Sequence, residues 1–213
     1  MTMDEQELPD LIDIFDAHLD NFVDEDEIVV FHDAGSEDNH IDVYWIKPEP
    51  EYRPYSILIT CGMSRYPMNT PQGYTRFLEV AMLLPPDWDL TDIRKKPKTI
   101  SWPIFHLQNI GKMPHAEDTW VGFGHTIECN ESYGDFFPGT GFNSSIILPS
   151  ITLPETFTEI LNGNDLTTVY ISLPLFPEEL SYKLQNDSNA LIEKFNIFNT
   201  PEVLNLSRSN TCK

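Results

Sequence analysis

The sequence predicts a single α+β domain in which a mixed, mainly antiparallel sheet is flanked by helices. Its 213 residues, of which 40% are hydrophobic and 12% aromatic, are enough to bury one core without metals or disulfides. Short runs of β-branched and aromatic residues fill much of the chain after residue 27, whereas apolar residues at helical spacing mark its two ends. Strand-forming segments that lie between helical N- and C-terminal regions favour an α+β fold.

The first helix is predicted from Leu8 to Val23, because apolar residues recur there at spacings of three and four. Carboxylates recur at the same spacing on another side of this helix. They are Asp10, Asp13, Asp16, Asp20 and Asp24. Like charges stacked in this way destabilise an isolated helix unless solvent or a cationic partner compensates for them. An acidic cluster, Asp24, Glu25, Asp26 and Glu27, is predicted to end the helix.

Strand patterns follow this helix. The predicted strands of the first half are Ile28–His32, Ile41–Pro48, Tyr55–Cys61 and Phe77–Leu84, with a turn over residues 34–40. The third is nearly all apolar and therefore fits a strand buried on both faces. Two prolines and an aspartate, residues 85–87, end the fourth strand, since proline cannot donate to the ladder.

The second half mixes helices with shorter strands. A helix of eight to ten residues is predicted after Pro103, with Gly111 as its C-cap. Residues 121–143 read as a loop containing one short strand. The remaining predictions are strands at His125–Glu128, Ser144–Pro149 and Thr168–Leu173, and helices at Pro177–Gln185 and Ser188–Phe198. The chain thus divides into an acidic N-terminal helix packed on the body (1–27), a body (28–200) and a C-terminal tail (201–213).

Charge is concentrated at the N-terminus. The chain has 34 acidic and 13 basic residues, a net charge of −21, and residues 1–51 carry 17 of the acids but a single base, Lys47. This field repels nucleic acid and speeds encounter with a basic protein, so direct nucleic-acid binding is not expected. The acidic residues are interpreted either as a solvated, solubilising face or as a docking surface for a basic partner.

The composition predicts a protein of the cytoplasm. The N-terminus lacks the positive start and apolar stretch of a signal peptide, and no run of about 18 uncharged apolar residues could span a membrane. Three widely spaced cysteines, Cys61, Cys129 and Cys212, are expected to remain thiols. No metal site or cofactor is predicted, because His125 and Cys129 have no partner pair at zinc-site spacing.

No catalytic residue is predicted. Ser64 lies in a turn that is not a nucleophile elbow. Glu79 interrupts an apolar strand, so we expect a structural ion pair with Arg76 or Arg65 to offset its desolvation. Trp45 and Trp102 are expected in the core, whereas Trp88 follows two prolines and is a candidate interface anchor.

Five sequence strings, in this order, resemble the Suppressor of fused domain. The resemblance extends from about Ile41 to Phe195. The strings are IDVYWIKP (41–48), TCGMS (60–64) followed by Pro67 and Met68, FLEVAMLLPPDW (77–88), WPI (102–104) and LPLFPEEL (173–180).

The resemblance implies a mixed α+β fold and a stoichiometric protein binder without enzymatic activity. Animal members sequester zinc-finger transcription factors and have a second domain, whereas small bacterial versions are encoded beside polymorphic toxins and act as immunity proteins. The chain length favours an immunity or antitoxin protein for a cognate toxin, with nucleases among the candidates. A regulatory scaffold that sequesters another protein, such as a transcription factor, is the alternative, and a hydrolase is third. The interface is expected either on the acidic helix or around Gly62–Met68, with Met63 and Ser64.

Overall fold

An eight-stranded sheet organises the part of the chain that the computed structural model describes, residues 10–34, 39–128 and 139–213. Its strands are β1 (Ile28–Phe31), β2 (Asp42–Ile46), β3 (Ser56–Cys61), β4 (Phe77–Leu84), β5 (Thr126–Glu128), β6 (Ser144–Pro149), β7 (Glu159–Asn162) and β8 (Asp165–Leu175). The helices are α1 (Leu11–Leu19), α2 (Lys98–Ala116), α3 (Glu155–Thr158), α4 (Pro177–Gln185) and α5 (Ser188–Phe198).

The strand order is β1-β2-β3-β4-β8-β6-β5, and β7 pairs with the beginning of β8. Strands β1 to β4 form an antiparallel meander. Strand β8 runs parallel to β4, from Phe77↔Thr167 to Ala81↔Ile171, and antiparallel to β6 and β7. One parallel pair in an otherwise antiparallel sheet confirms the predicted mixed α+β fold.

The sheet separates two layers of helices. On one face, Leu107 of α2 packs with Val43, Leu58 and Val80. On the other face, Phe15 and Leu19 of α1 pack with Tyr44 and its neighbours. Side chains two residues apart on a strand share a face, and on β8 Val169 and Ile171 lie in the α1 core while Leu173 and Leu175 lie with α4 and α5. Helices α1, α4 and α5 therefore cover the same face.

Helix α2 is twice the predicted length. It begins at Lys98 and ends at Ala116, so Pro103 and Gly111 lie inside it, and the predicted C-cap at Gly111 is wrong. A Cβ atom on Gly111 would lie 2.8 Å from Ile41 Cγ2. The glycine allows α2 to approach β2 closely, a tertiary requirement that looks like a helix end in the sequence.

The hairpin β7–β8 was not predicted, and β8 extends beyond both predicted ends. Asn162 pairs with Asp165, leaving a two-residue loop in which Gly163 has φ +60°. The loop is Gly163-Asn164, and a glycine at the first position of a two-residue loop is a hairpin signal. Strand β7 has four residues and the first residues of β8 are partly exposed, so the apolar periodicity around this turn is weak.

Helix α1 is shorter than predicted. It ends at Leu19, where the Asn21 side-chain amide donates to the carbonyl oxygens of Ala17 and His18 at 2.9 and 3.1 Å. The predicted start at Leu8 lies outside the described residues. The five aspartates consequently do not form one helical row: Asp10 and Asp20 cap α1, and Asp24 lies beyond it.

The C-terminal tail is fixed to the body by a buried ion pair that the sequence analysis missed. The guanidinium of Arg208 donates to both oxygens of Glu179, at 2.6 and 2.5 Å, and to the carbonyl oxygen of Pro174 at 2.9 Å. The Arg208 side chain is 6% exposed and that of Glu179 is 0% exposed. The guanidinium also lies 4.6 Å from the ring centroid of Phe176.

Further donors complete the surroundings of Glu179. The backbone N–H groups of Phe176 and Thr211 and the Thr211 hydroxyl each donate to the carboxylate at 3.0 Å. Burial opposes ionisation, but Arg208 and these donors outweigh it and hold the pKa of Glu179 below its ordinary value.

Two of the three cysteines lie in the described residues, and both are free thiols. Cys61 is buried, and Cys212, next to Thr211, packs at the edge of the α4–α5 core. Cys129 lies outside the described residues.

We predict that Arg208→Met lowers the free energy of unfolding by about 3–5 kcal/mol, because it leaves a buried carboxylate without its counter-ion. Urea denaturation followed by circular dichroism measures this. The double variant Arg208→Met/Glu179→Gln removes that charge as well and should recover part of the loss. Lys213→Met is the control, since Lys213 is 74% exposed and 3.5 Å from Glu178, and should change stability by less than about 1 kcal/mol. Equal effects at Arg208 and Lys213 would contradict this account.

Candidate functional site

The predicted carboxylates lie on α1, at its two ends and on the following 3-10 turn, Glu25–Glu27. We call them together the acidic surface. Its members are Asp10, Asp13, Asp16, Asp20, Asp24, Glu25, Asp26 and Glu27. All are exposed except Glu27, which is half-buried.

The underside of α1 holds the acidic surface in place. Phe15 and Leu19 are fully buried, and the Phe15 ring meets Tyr44 edge-on at 5.2 Å. His18 Nε2 lies 2.9 Å from the carbonyl oxygen of Phe157, which ties α1 to α3. Because the helix is anchored at these points, its carboxylate-bearing side is held towards solvent.

Neighbouring carboxylates of the acidic surface repel one another. Partial burial raises the pKa of Asp16, a hydrogen bond from Tyr44 opposes this, and the charges of Asp20, Asp13 and Glu25 raise it further. Among the described residues, the one side-chain ion pair here joins Asp10 to Arg65 at 3.8 Å. Charges this poorly compensated gain when a cationic partner approaches.

The second predicted surface, Gly62–Met68, is mostly internal. Met63, Ser64 and Met68 are buried, and the exposed part is limited to residues 65–67. Gly62 has φ +130°, and a Cβ atom there would lie 2.3 Å from the carbonyl oxygen of His40. The segment turns tightly beneath the surface, so Met63 and Ser64 have no side-chain surface to offer a partner in this conformation.

Glu79 holds this turn, but not by the predicted ion pair. The backbone N–H groups of Gly62 and Ser64 and the Ser64 hydroxyl donate to Oε1 at 3.1, 2.9 and 2.7 Å, and the Thr60 hydroxyl donates to Oε2 at 2.5 Å. Arg65 instead approaches Asp10. Arg76 is exposed and, among the described residues, neither arginine pairs with Glu79. The expected ion pair with Arg76 or Arg65 is therefore wrong.

The Glu79 site exists because β3 and β4 separate. Their ladder ends at Ile59↔Ala81, and the next N–H, that of Val80, donates to the Thr60 hydroxyl at 2.8 Å. The carboxylate enters the gap and is fully buried. Burial raises the pKa of Glu79, and the hydrogen bonds from Thr60, Ser64 and Gly62 only partly counter this.

The tryptophans lie mainly inside. Trp45 and Trp102 are buried, which confirms their assignment to the core. Trp88 is also buried: its indole N–H donates to the Ile100 carbonyl oxygen at 3.0 Å, and its ring meets Trp102 edge-on at 6.4 Å. One edge of Trp88 lines a groove between residues 85–89 and the C-terminal tail. Its role as an interface anchor stays a prediction.

A cluster of His32, His40 and Asp42 was missed in the sequence. One donor atom from each lies within 4.8 Å of the others. The β1–β2 register ends at Phe31↔Val43, so its continuation places His32 opposite Asp42, and His40, two residues before Asp42, lies 2.8 Å from that carboxylate. The three residues could therefore have been grouped from the sequence, but only with the correct register of the β1–β2 hairpin.

A sequence model of the Suppressor of fused protein (SUFU) family matches residues 37–209. The chain belongs to this family. The match includes all five strings that carried the resemblance and much of the C-terminal tail, including Arg208 of the buried ion pair.

Solved structures share the fold of this SUFU-family chain. A SUFU homologue from Neisseria gonorrhoeae FA 1090 superposes with a TM-score of 0.65 at 15% identity, covering 93% of this chain and 95% of that one. A Sufu–Fu complex gives 0.64 at 14% identity, with 97% and 93% covered. Drosophila Suppressor of Fused gives 0.54 at 15% identity, with 99% of this chain but 54% of that one covered.

No curated protein sequence is significantly similar to this SUFU-family chain. Within the described residues, no helix combines the length and hydropathy that crossing a membrane requires.

We predict that Glu79→Gln removes a pH-dependent part of the stability. A carboxyl group whose pKa is raised by folding contributes stability that is present below its unfolded pKa of about 4.3 and is lost as the pH rises through its folded pKa. The advantage of the wild type over Glu79→Gln, measured by urea denaturation from acidic to neutral pH, should therefore shrink as the pH rises. Exposed Glu193→Gln is the control. An advantage that grows with pH would show that the buried site favours the ionised carboxylate.

Proposed function

We propose that this SUFU-family chain is a non-enzymatic immunity or antitoxin protein that neutralises a cognate toxin by stoichiometric binding through the acidic surface. The supporting observation is that exposed carboxylates lie along α1, its two caps and the following 3-10 turn, while Phe15 and Leu19 anchor the opposite side of α1. Partner and protein would meet in the cytoplasm. A surface of anchored charge, on which the one side-chain ion pair among the described residues is Asp10–Arg65, needs little reorganisation before it meets an oppositely charged one.

The negative charge of the acidic surface is complementary to a positively charged surface on a toxin. Nucleases bind a polyanion and so line their substrate grooves with lysine and arginine. The spacing of carboxylates along α1 and the 3-10 turn can place several acids opposite such a groove at once. An inhibitor bound there excludes nucleic acid by occupying its site and by repelling it.

A regulatory scaffold is the second candidate. A structure described as a Sufu–Fu complex shares the fold, which supports binding of another protein by this fold at 14% identity. The same acidic surface would then hold a basic segment of a regulated protein. The two functions differ in what the bound partner does when it is released.

The direct test is co-expression of the tagged full chain with the product of the adjacent gene. We expect the two proteins to co-purify at a fixed ratio, and the chain to restore growth to cells that produce the partner. Co-purification without any growth defect from the partner alone would favour the scaffold. Failure of both binding and rescue would contradict the immunity function.

Charge neutralisation locates the interface. Five substitutions to Asn, at Asp10, Asp13, Asp16, Asp20 and Asp24, should slow association with the partner at low salt by about tenfold or more and flatten its salt dependence. Stopped-flow fluorescence or surface plasmon resonance measures both. Circular dichroism verifies that the fold is kept.

The control removes the same charge elsewhere. It neutralises five exposed acids outside α1, Asp87, Asp92, Asp118, Glu128 and Glu193, as amides. If the acidic surface is the interface, this variant retains most of the wild-type association rate. Equal effects of the two variants would show that only the net charge matters, and an unchanged rate in both would exclude electrostatic steering.

A further inference from the structure

His32, His40 and Asp42 bring three metal-binding side chains together at one end of the sheet. His32 Nδ1 lies 3.1 Å from Asp42 Oδ2, and His40 Nε2 lies 2.8 Å from Asp42 Oδ1. All three donor atoms fall within 4.8 Å of one another. None of these residues belongs to the acidic surface.

The β1–β2 hairpin produces this convergence. His32 directly follows β1 and lies across from Asp42, the first residue of β2. His40 lies two residues before Asp42, in the connection that leads into β2, and its ring turns towards the Asp42 carboxylate. Two strand ends thus supply one side chain each, and the connection between them supplies the third.

Neighbouring contacts fix the backbone around the cluster. The N–H of Asp33 donates to Asp42 Oδ1 at 2.9 Å, and Lys112 of α2 pairs with Asp33 at 2.6 Å. The Asn39 amide donates to the Lys112 carbonyl oxygen at 3.0 Å. Gly62 lies against the His40 carbonyl so closely that no side chain fits between them. Both sides of the cluster are therefore held before any ligand arrives.

Two imidazole nitrogens and one carboxylate oxygen are a ligand set for first-row transition metals. Zinc takes His and Asp or Glu ligands at about 2.0–2.2 Å, whereas calcium and magnesium prefer oxygen alone. We propose that His32, His40 and Asp42 bind one divalent transition-metal ion of the zinc type.

The geometry needs only a small adjustment. Ligand atoms around a tetrahedral zinc lie about 3.4 Å apart, so the two imidazole nitrogens must approach each other by at most about 1.4 Å. The Asp42 side chain is 10% exposed, that of His40 39% and that of His32 75%. Asp42 is the fixed inner ligand, and rotation of the exposed His32 ring closes the site. Water completes the coordination from the solvent side.

Bound metal would fasten the edge of the sheet. Strand β1 pairs only with β2 within the described residues, so its outer edge lacks a neighbouring strand. An ion held by His32 and Asp42 joins the end of β1 to the start of β2 more strongly than the hydrogen bond it replaces. Metal binding should therefore raise the melting temperature.

The test is titration of the full, tag-free chain with Zn²⁺ and with Co²⁺. Isothermal titration calorimetry should show one site, and Co²⁺ should give visible absorption of a low-coordinate complex without the near-ultraviolet band of thiolate ligands. His32→Ala should weaken Zn²⁺ binding by at least about tenfold, since even outer-shell changes at metal sites cost that much. His32 is exposed, so this variant keeps the fold.

Matched variants decide the outcome. Asp42→Asn should also weaken binding, while His115→Ala, which alters a half-buried histidine bonded to the Met63 carbonyl oxygen, should leave it unchanged. The site is supported if His32→Ala loses both Zn²⁺ binding and the rise in melting temperature while His115→Ala keeps both. Absence of a one-to-one site in the wild type, or equal affinity in wild type and His32→Ala, would overturn it.

Discussion

The parallel pairing of β4 with β8 is the constraint on which the rest of the structure depends. Adjacent parallel strands cannot be joined by a tight turn, so the chain between Leu84 and Asp165 must cross over. Helix α2, the β5–β6 pair, α3 and β7 all lie in this crossover. Strand β8 then pairs with β4, β6 and β7, and the tail returns to β4, where Leu204 N–H donates to the Leu83 carbonyl oxygen at 2.8 Å. The meander β1–β4 and the C-terminal half become one body through this strand.

The sheet divides the core into two layers, and the helices that cover each face determine which surfaces stay exposed for binding. Helix α2 closes one face over an apolar core, and its close approach at Gly111 leaves no room for a side chain there. The other face is shared by α1 and the α4–α5 pair, whose tail is locked by Arg208 and Glu179. Helix α1 contributes two fully buried side chains, and both of its carboxylates, Asp13 and Asp16, are exposed. The fold therefore presents an acidic helix on a rigid support, which is the basis of the proposed binding function.

Local patterns predicted the strands well because their signal is local. Strands β2, β3 and β4 consist mainly of buried apolar residues, and each was placed within a few residues of its observed ends. Predictions failed where the partner is distant in sequence. The donors to Glu79 are backbone N–H and hydroxyl groups 15–19 residues away, and Arg208 pairs with Glu179 across 29 residues. The candidate site shows the same contrast between local and distant signals. The acidic residues could be identified from composition alone. The burial of Met63 and Ser64 and the approach of His32 to Asp42 could be predicted only with the sheet register.

The central claim is that the acidic surface is where this protein meets its partner. Hydrogen–deuterium exchange of the full chain, measured by mass spectrometry with and without the co-purified partner, tests it most directly. The account predicts that protection on binding is concentrated in peptides covering residues 10–27, with the slowly exchanging amides of β4 and β8 unaffected. Protection concentrated instead at residues 85–89 and 201–206, with residues 10–27 unchanged, would contradict it and place the interface at the groove beside Trp88.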